Sequence, residues 1–191
     1  MGGLRAHIYK LDPLTNDVSH SWSIDGVVSS IALSPRGERL YVGAQTSNDP
    51  WATISAWDTT TMNRLVSVST GGGGLGGPEV VAGSDKVWVA YATGMMGQIE
   101  ERRASDLADL HSKTPAFSNS VSVQVVGGFV LFTDGMSGRI GCLDPQTGTV
   151  LSTMERPLGG VVAGDKSALF VGGQNGVAEL ILPGRCRSGV A

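Results

Sequence analysis

The residues of this chain that could carry chemistry are its loop carboxylates, three histidines, two cysteines and one glycine run. Their spacing limits each of them. His7, His20 and His111 fall in strand-like segments of different repeats, with no Glu or Cys at metal-ligand spacing beside them. Surface or packing roles follow. Cys142 and Cys186 are too few for a disulfide framework or a zinc set. Cys142 lies inside an apolar stretch, where a small buried thiol is expected, and whether the two pair is left open. The run Gly71 to Gly77 contains dinucleotide-fingerprint spacing, but it has no strand before it and no helix after it. Gly135-Met136-Ser137-Gly138 lacks the flanking pattern of a nucleophile elbow. Asp25, Asp49 and Asp134 stand in loops, where a carboxylate more often caps a turn than binds a metal. No catalytic, cofactor-binding or metal residue is assigned, and no cofactor is expected.

Composition narrows the function classes further. The chain has 191 residues and a net charge of −3, and 16% of its residues are charged, against about 25% in ordinary soluble domains. Its longest basic run, Arg102-Arg103, follows Glu100-Glu101, so no concentrated positive face is available to release counterions from a nucleic acid. No stretch is apolar for long enough to span a bilayer as a helix, and residues 1–5 lack the apolar core of a signal peptide. Glycine, at 28 residues, is abundant without excess proline, which suits many tight turns.

The elements that must position these residues are strands. Val28 to Ser69 reads as four short strands joined by tight turns, with Ser34-Pro35-Arg36-Gly37 and Asp58-Thr59-Thr60-Thr61 as turn chemistry. Ile54-Ser55-Ala56-Trp57-Asp58 recurs as Ile8 to Asp12 and Ile140 to Asp144, and more loosely as Ile99 to Arg103 and Ala178 to Leu182. The intervals at the Asp position are 46, 45, 41 and 38 residues, the size of one four-stranded propeller blade. The blades are placed at residues 5–24 (half), 28–69, 78–112, 120–154 and 159–182 (partial), in one domain over 1–191. Gln98 to His111 also fits a helix, but the flanking repeats favour strand–turn–strand.

The motif Ile31-Ala32-Leu33-Ser34-Pro35-Arg36-Gly37-Glu38-Arg39-Leu40-Tyr41-Val42-Gly43, followed by Ile54 to Val68, resembles the YVTN-type β-propeller repeat. Leu143 to Met154 is similar to repeats of quinoprotein-like propellers. The resemblance implies an all-β fold of four-stranded antiparallel blades, about four of them, forming an incomplete ring. It implies little about activity, because propellers host enzymes and pure scaffolds alike. The docking tryptophan of quinoprotein repeats is missing after Thr149 and Arg64, which argues against a quinone.

Because the chain opens in mid-blade, three completions are open: missing blades of a longer propeller, whose export is left open, closure on itself as a four-bladed ring, or a second copy. The first is favoured. The leading functional reading is a non-enzymatic binding or scaffold module using the loop face around the channel. Trp51, Asp49, Met95, Met96, Asp134, Met136 and Asn175 are its candidate partner-binding residues, for a protein or small-molecule ligand of unknown identity. The alternative is a lactonase- or hydrolase-like enzyme whose site is completed by missing blades.

Overall fold

A computed structural model describes residues 4–45, 52–71, 77–94, 96–113, 117–118, 121–126, 129–134, 137–155, 162–164, 169–173 and 176–179. The described elements are antiparallel strands that follow one another as sheets along the chain. The first sheet has two strands, β1 (Arg5–Leu11) and β2 (Val18–Asp25). The second runs in order through β3 (Val27–Leu33), β4 (Arg39–Gln45), β5 (Ala52–Asp58) and β6 (Arg64–Ser69). The third has β7 (Glu79–Ala82), β8 (Lys86–Thr93), β9 (Met96–Arg103) and β10 (Asp109–Lys113), with β11 (Phe117–Ser118) also on β9. The fourth has β12 (Val121–Val126), β13 (Phe129–Asp134), β14 (Arg139–Leu143) and β15 (Val150–Glu155). The last has β16 (Val162–Gly164), β17 (Leu169–Gly173) and β18 (Gly176–Glu179). Among the described residues, the first and last sheets are separate and share no ladder, so closure of one copy on itself is not seen.

Alternation along each strand explains why the sheets stack face to face. Successive side chains point to opposite faces, and both faces of a middle sheet are covered. In β8, Val87, Val89 and Tyr91 enter a core with Tyr41, Ile54 and Ala56 of the second sheet. The intervening Trp88 and Ala90 enter another core, with Val123, Val130 and Phe132 of the fourth. Strands buried on both faces lose the apolar–polar alternation of a half-exposed strand, which is why Val87-Trp88-Val89-Ala90-Tyr91 reads as one apolar run.

The turns between third and fourth strands share one construction. The amide N–H of the fifth residue donates to the carbonyl of the first in 12–16, 58–62, 103–107 and 144–148. The fifth residue takes positive φ: Asn16 at 60°, Met62 at 65°, Leu107 at 57° and Gly148 at 68°. Asp12, Asp58 and Asp144 each accept two amide N–H groups through Oδ1. The repeated carboxylate is therefore a turn cap, and 98–111 is strand–turn–strand rather than helix.

These amides hold Asp58 and Asp144 below the usual carboxylate range, led by Thr61 N–H and Gln146 N–H respectively; Asp106 is lowered chiefly by Ala108 N–H. A lowered folded pKa adds stability above the unfolded value, about 3.9 for Asp, and loses it as pH falls through the folded value. Urea midpoints should therefore fall as the pH drops below about 4. Combining Asp58→Asn with Asp144→Asn should flatten that acid slope, and an unchanged slope would refute the assignment.

Cys142 is buried, as its apolar surroundings in sequence imply, and it is one half of a disulfide, a point the sequence left open. The chain has one other cysteine, Cys186. Two cysteines so far apart in sequence carry no pairing signature, because the fold decides their proximity.

Candidate functional site: the open edge at the first sheet

The seven candidate residues on the loop face meet the structure unevenly. Trp51, Asp49, Met95, Met136 and Asn175 lie outside the described residues. Met96 begins β9 and is 51% exposed. Asp134 is 1% exposed. Its Oδ2 accepts from Arg139 Nη2 at 3.1 Å, and its Oδ1 accepts from Ser137 N–H at 3.4 Å. Asp134 thus closes a hairpin, and it is corrected from loop-face contact to internal cap. Asp25 pairs with Arg5 at 3.2 Å on the exposed ends of β1 and β2. Among the described residues, no three His, Cys, Asp or Glu side chains stand close enough together to hold a metal ion.

Sequence reasoning missed a set of buried charges on β9. Glu100 contacts the Arg102 guanidinium directly, and both are almost fully buried. Tyr91 Oη donates to Glu100 Oε2 at 2.8 Å, and Arg102 Nη1 donates to Leu107 O at 2.9 Å. Burial, and then the bond to Glu100, push the Tyr91 phenol well above its ordinary range. On the other face, Glu101 accepts from Trp88 Nε1 at 3.0 Å and from Lys86 Nζ at 3.2 Å. The signal was the run of three consecutive charges, Glu100-Glu101-Arg102, at a repeat position whose other copies are mostly uncharged. With every charge paired inside the protein, this cluster holds the sheet together.

The seams between sheets have a consistent polarity. Lys10 Nζ reaches Thr59 O at 3.5 Å, and Ser29 and Ser30 Oγ reach Pro78 O at 2.6 and 2.9 Å. Arg39 Nη1 donates to Ala104 O and Ser105 O, both at 2.7 Å, and Tyr41 Oη donates to Ala104 O at 2.9 Å. Ser30 Oγ accepts from Val80 N–H at 2.8 Å, Glu79 Oε2 accepts from Val123 N–H at 3.2 Å, and Lys86 Nζ bonds Gln146 O. In each described case the side chain belongs to the earlier sheet and the backbone group to the later one. Gly43 allows the closest approach, since a Cβ there would stand 2.5 Å from Pro78 O.

One surface lacks the cover that its counterparts have. The preceding sheet buries the inner-strand position that pairs with the middle of the second strand. Val80, opposite Val89, is 2% exposed, and Val123, opposite Phe132, is 0% exposed. Ile31, opposite Val42, is 53% exposed. The cause is the preceding sheet, which has only β1 and β2 and covers Leu40, Val42 and Ala44 with Ile8, Trp22 and Ile24. Beside Ile31 lie a cavity of about 550 Å³ with Tyr9, Leu11, Val18 and Val28 in its wall, and another of about 400 Å³ with Leu33 and Trp22. Tyr9, Leu11, Val18 and Leu33 are all exposed. β1 pairs with β2 along one edge only, leaving its other edge without a strand among the described residues. The indole N–H of Trp22, buried in the same wall, has no acceptor there.

No protein-family model and no curated protein matches the chain. Solved structures do match its fold. The Cps50 (Swd1) β-propeller domain of Myceliophteria thermophila is 13% identical, covers 93% of this chain and 60% of its own, and has a TM-score of 0.64. The WD40 domain of Toxoplasma gondii coronin is 11% identical over 93% of this chain and 51% of its own, with a TM-score of 0.69. A functionally unknown protein from Desulfotomaculum acetoxidans is 9% identical over 97% and 67%, with a TM-score of 0.68. The chain therefore forms an arc of a β-propeller and spans about half to two thirds of the length of these structures.

Proposed function

We propose that this propeller arc is a non-enzymatic binding module whose principal contact is strand addition at the groove between β1 and β3. The observation that carries this reading is the contrast between Ile31, exposed, and its covered counterparts Val80 and Val123. A free strand edge supplies main-chain hydrogen bonds, and pockets beside it select alternate side chains. Those are the two components of strand-addition binding. Tyr9, Ile31 and Leu33 give the groove an apolar floor that an inner-strand pair of the same repeat would cover.

The loop face forms a second contact surface in this reading. Its described part is Met96, an exposed methionine at a strand start, and Trp51, Met95 and Met136 are its proposed companions.

The groove is tested by titrating the chain with a synthetic peptide of its own β3–β4 hairpin, residues 28–45, while following tryptophan emission. A saturable change, lost when Trp22 is replaced by Phe and weakened by Tyr9→Lys, is the expected result. No saturable change at any peptide concentration would reject strand addition at this edge.

A further inference from the structure

We infer that the seam between the second and third sheets binds the phosphate group of a small ligand, in a cavity where three arginines converge. This seam is not the strand-accepting groove, and the inference does not rest on that reading. The cavity measures about 440 Å³, within the usual range of ligand sites. Arg36 reaches it from the β3–β4 turn, Arg39 from the start of β4 and Arg103 from the end of β9. Small residues on both sides, Ser34, Ser84, Ala104 and Ser105, leave the room.

Arg39 is the anchor, and the next seam shows what sets it apart. Lys86 opens β8 as Arg39 opens β4. Both donate to carbonyl groups in the turn between third and fourth strands of the following sheet. Lys86 is neutralised within its own sheet by Glu101 at 3.2 Å. Glu101 lies opposite Trp88 in the ladder, whereas Ala56 lies opposite Tyr41, the counterpart of Trp88. Among the described residues, no carboxylate comes within ion-pair distance of Arg39. Asp58, across the ladder from it, spends Oδ1 on the Thr60 and Thr61 amides. A partly buried guanidinium without a counter-ion is costly, and a bound oxyanion supplies one.

The wall also carries Glu38 and Asp85. Three guanidinium groups against two carboxylates leave one net positive charge, which suits a single phosphate group rather than a polyanion. Arg36 meets Glu38 at 3.9 Å with both side chains exposed, and Arg103 meets Asp106, outside the wall, at 3.0 Å with both about half exposed. Exposed pairs of this kind hold little energy, so a ligand can compete for both arginines. Guanidinium forks arriving from three segments surround a tetrahedral group, whereas one fork already satisfies a planar carboxylate.

Phosphorus NMR of O-phosphoserine titrated with the full 191-residue chain tests this, with inorganic phosphate as a second probe. Saturable line broadening is expected, displaced by sulfate but not by chloride at equal ionic strength. Arg39→Gln should abolish it. Because that change also removes the seam bonds to Ala104 and Ser105, two exposed positions carry the decision. Arg103→Gln should weaken binding by about tenfold, the usual worth of one charge-assisted hydrogen bond. Glu38→Gln should strengthen it, a gain that a merely structural arginine cluster would not show. Neither change should alter the circular dichroism. Tighter binding of phosphoserine than of phosphate upholds the site and makes a phosphorylated side chain the source; equal binding upholds it and makes the free ion the source. No saturable broadening, or broadening indifferent to Arg103→Gln and Glu38→Gln, overturns the inference and leaves the strand-accepting groove as it was.

Discussion

Replacing Arg102 by Met is expected to cost about 3–5 kcal/mol of stability, the usual result of leaving one buried charge without its partner. Glu100 would then face Tyr91 alone, in a core where a carboxylate has no water to turn to. Neutralising both members should behave differently, because desolvation of two ions consumes most of what their attraction returns. Combining Arg102→Met with Glu100→Leu should recover most of the loss. Urea denaturation of the two single variants and the double variant measures it. Equal losses in the single and double variants would mean that packing around β9, rather than charge pairing, sets the cost.

Leu107→Ala is the second large effect, about 2–5 kcal/mol for a truncated core leucine. Leu107 is 0% exposed, in the core shared by the second and third sheets. It also holds φ at 57°, where Asn16 and Gly148 stand in equivalent turns. Left-handed backbone costs an L-residue about 1–2 kcal/mol, so this position trades conformational strain for buried apolar area. Leu107→Gly separates the two contributions. It creates a larger cavity but relieves the strain, so it should be at least as stable as Leu107→Ala in thermal melts. A Gly variant clearly less stable than the Ala variant would show that the positive φ costs nothing here.

Much of the fold was legible because its signals are local. Asp-Thr-Thr-Thr and Asp-Pro-Gln-Thr-Gly specify their hairpins through side-chain acceptors two and three residues away, whatever the rest of the chain does. The half-sheet at the start was readable from the register of Ile8 to Asp12 against Ile54 to Asp58. Glu100, Glu101 and Arg102 were not readable as core. Charged residues in sequence signal solvent, and only the sheets on both sides of β9 bury them. Asp134 misled for the related reason that a loop carboxylate and a hairpin cap look alike until Arg139 is seen beside it. The Cys142 disulfide depends on the path of the chain in space. The groove was half legible: a two-stranded first sheet follows from the repeat, but the exposure of Ile31 against Val80 and Val123 follows from how the sheets pack.

The polarity of the seams bears on how such a chain is made and diversified. In the described polar contacts each later sheet meets its predecessor with carbonyl and amide groups, which every sequence possesses, while Ser30, Arg39, Tyr41, Glu79 and Lys86 on the earlier sheet supply the side chains. The apolar part of the seam draws on side chains of both sheets. A sheet emerging from the ribosome therefore finds the polar half of its seam already waiting, and has to match only the apolar half with side chains of its own. A repeat copied in the gene would carry the polar half of its seam with it, leaving the apolar face to be matched.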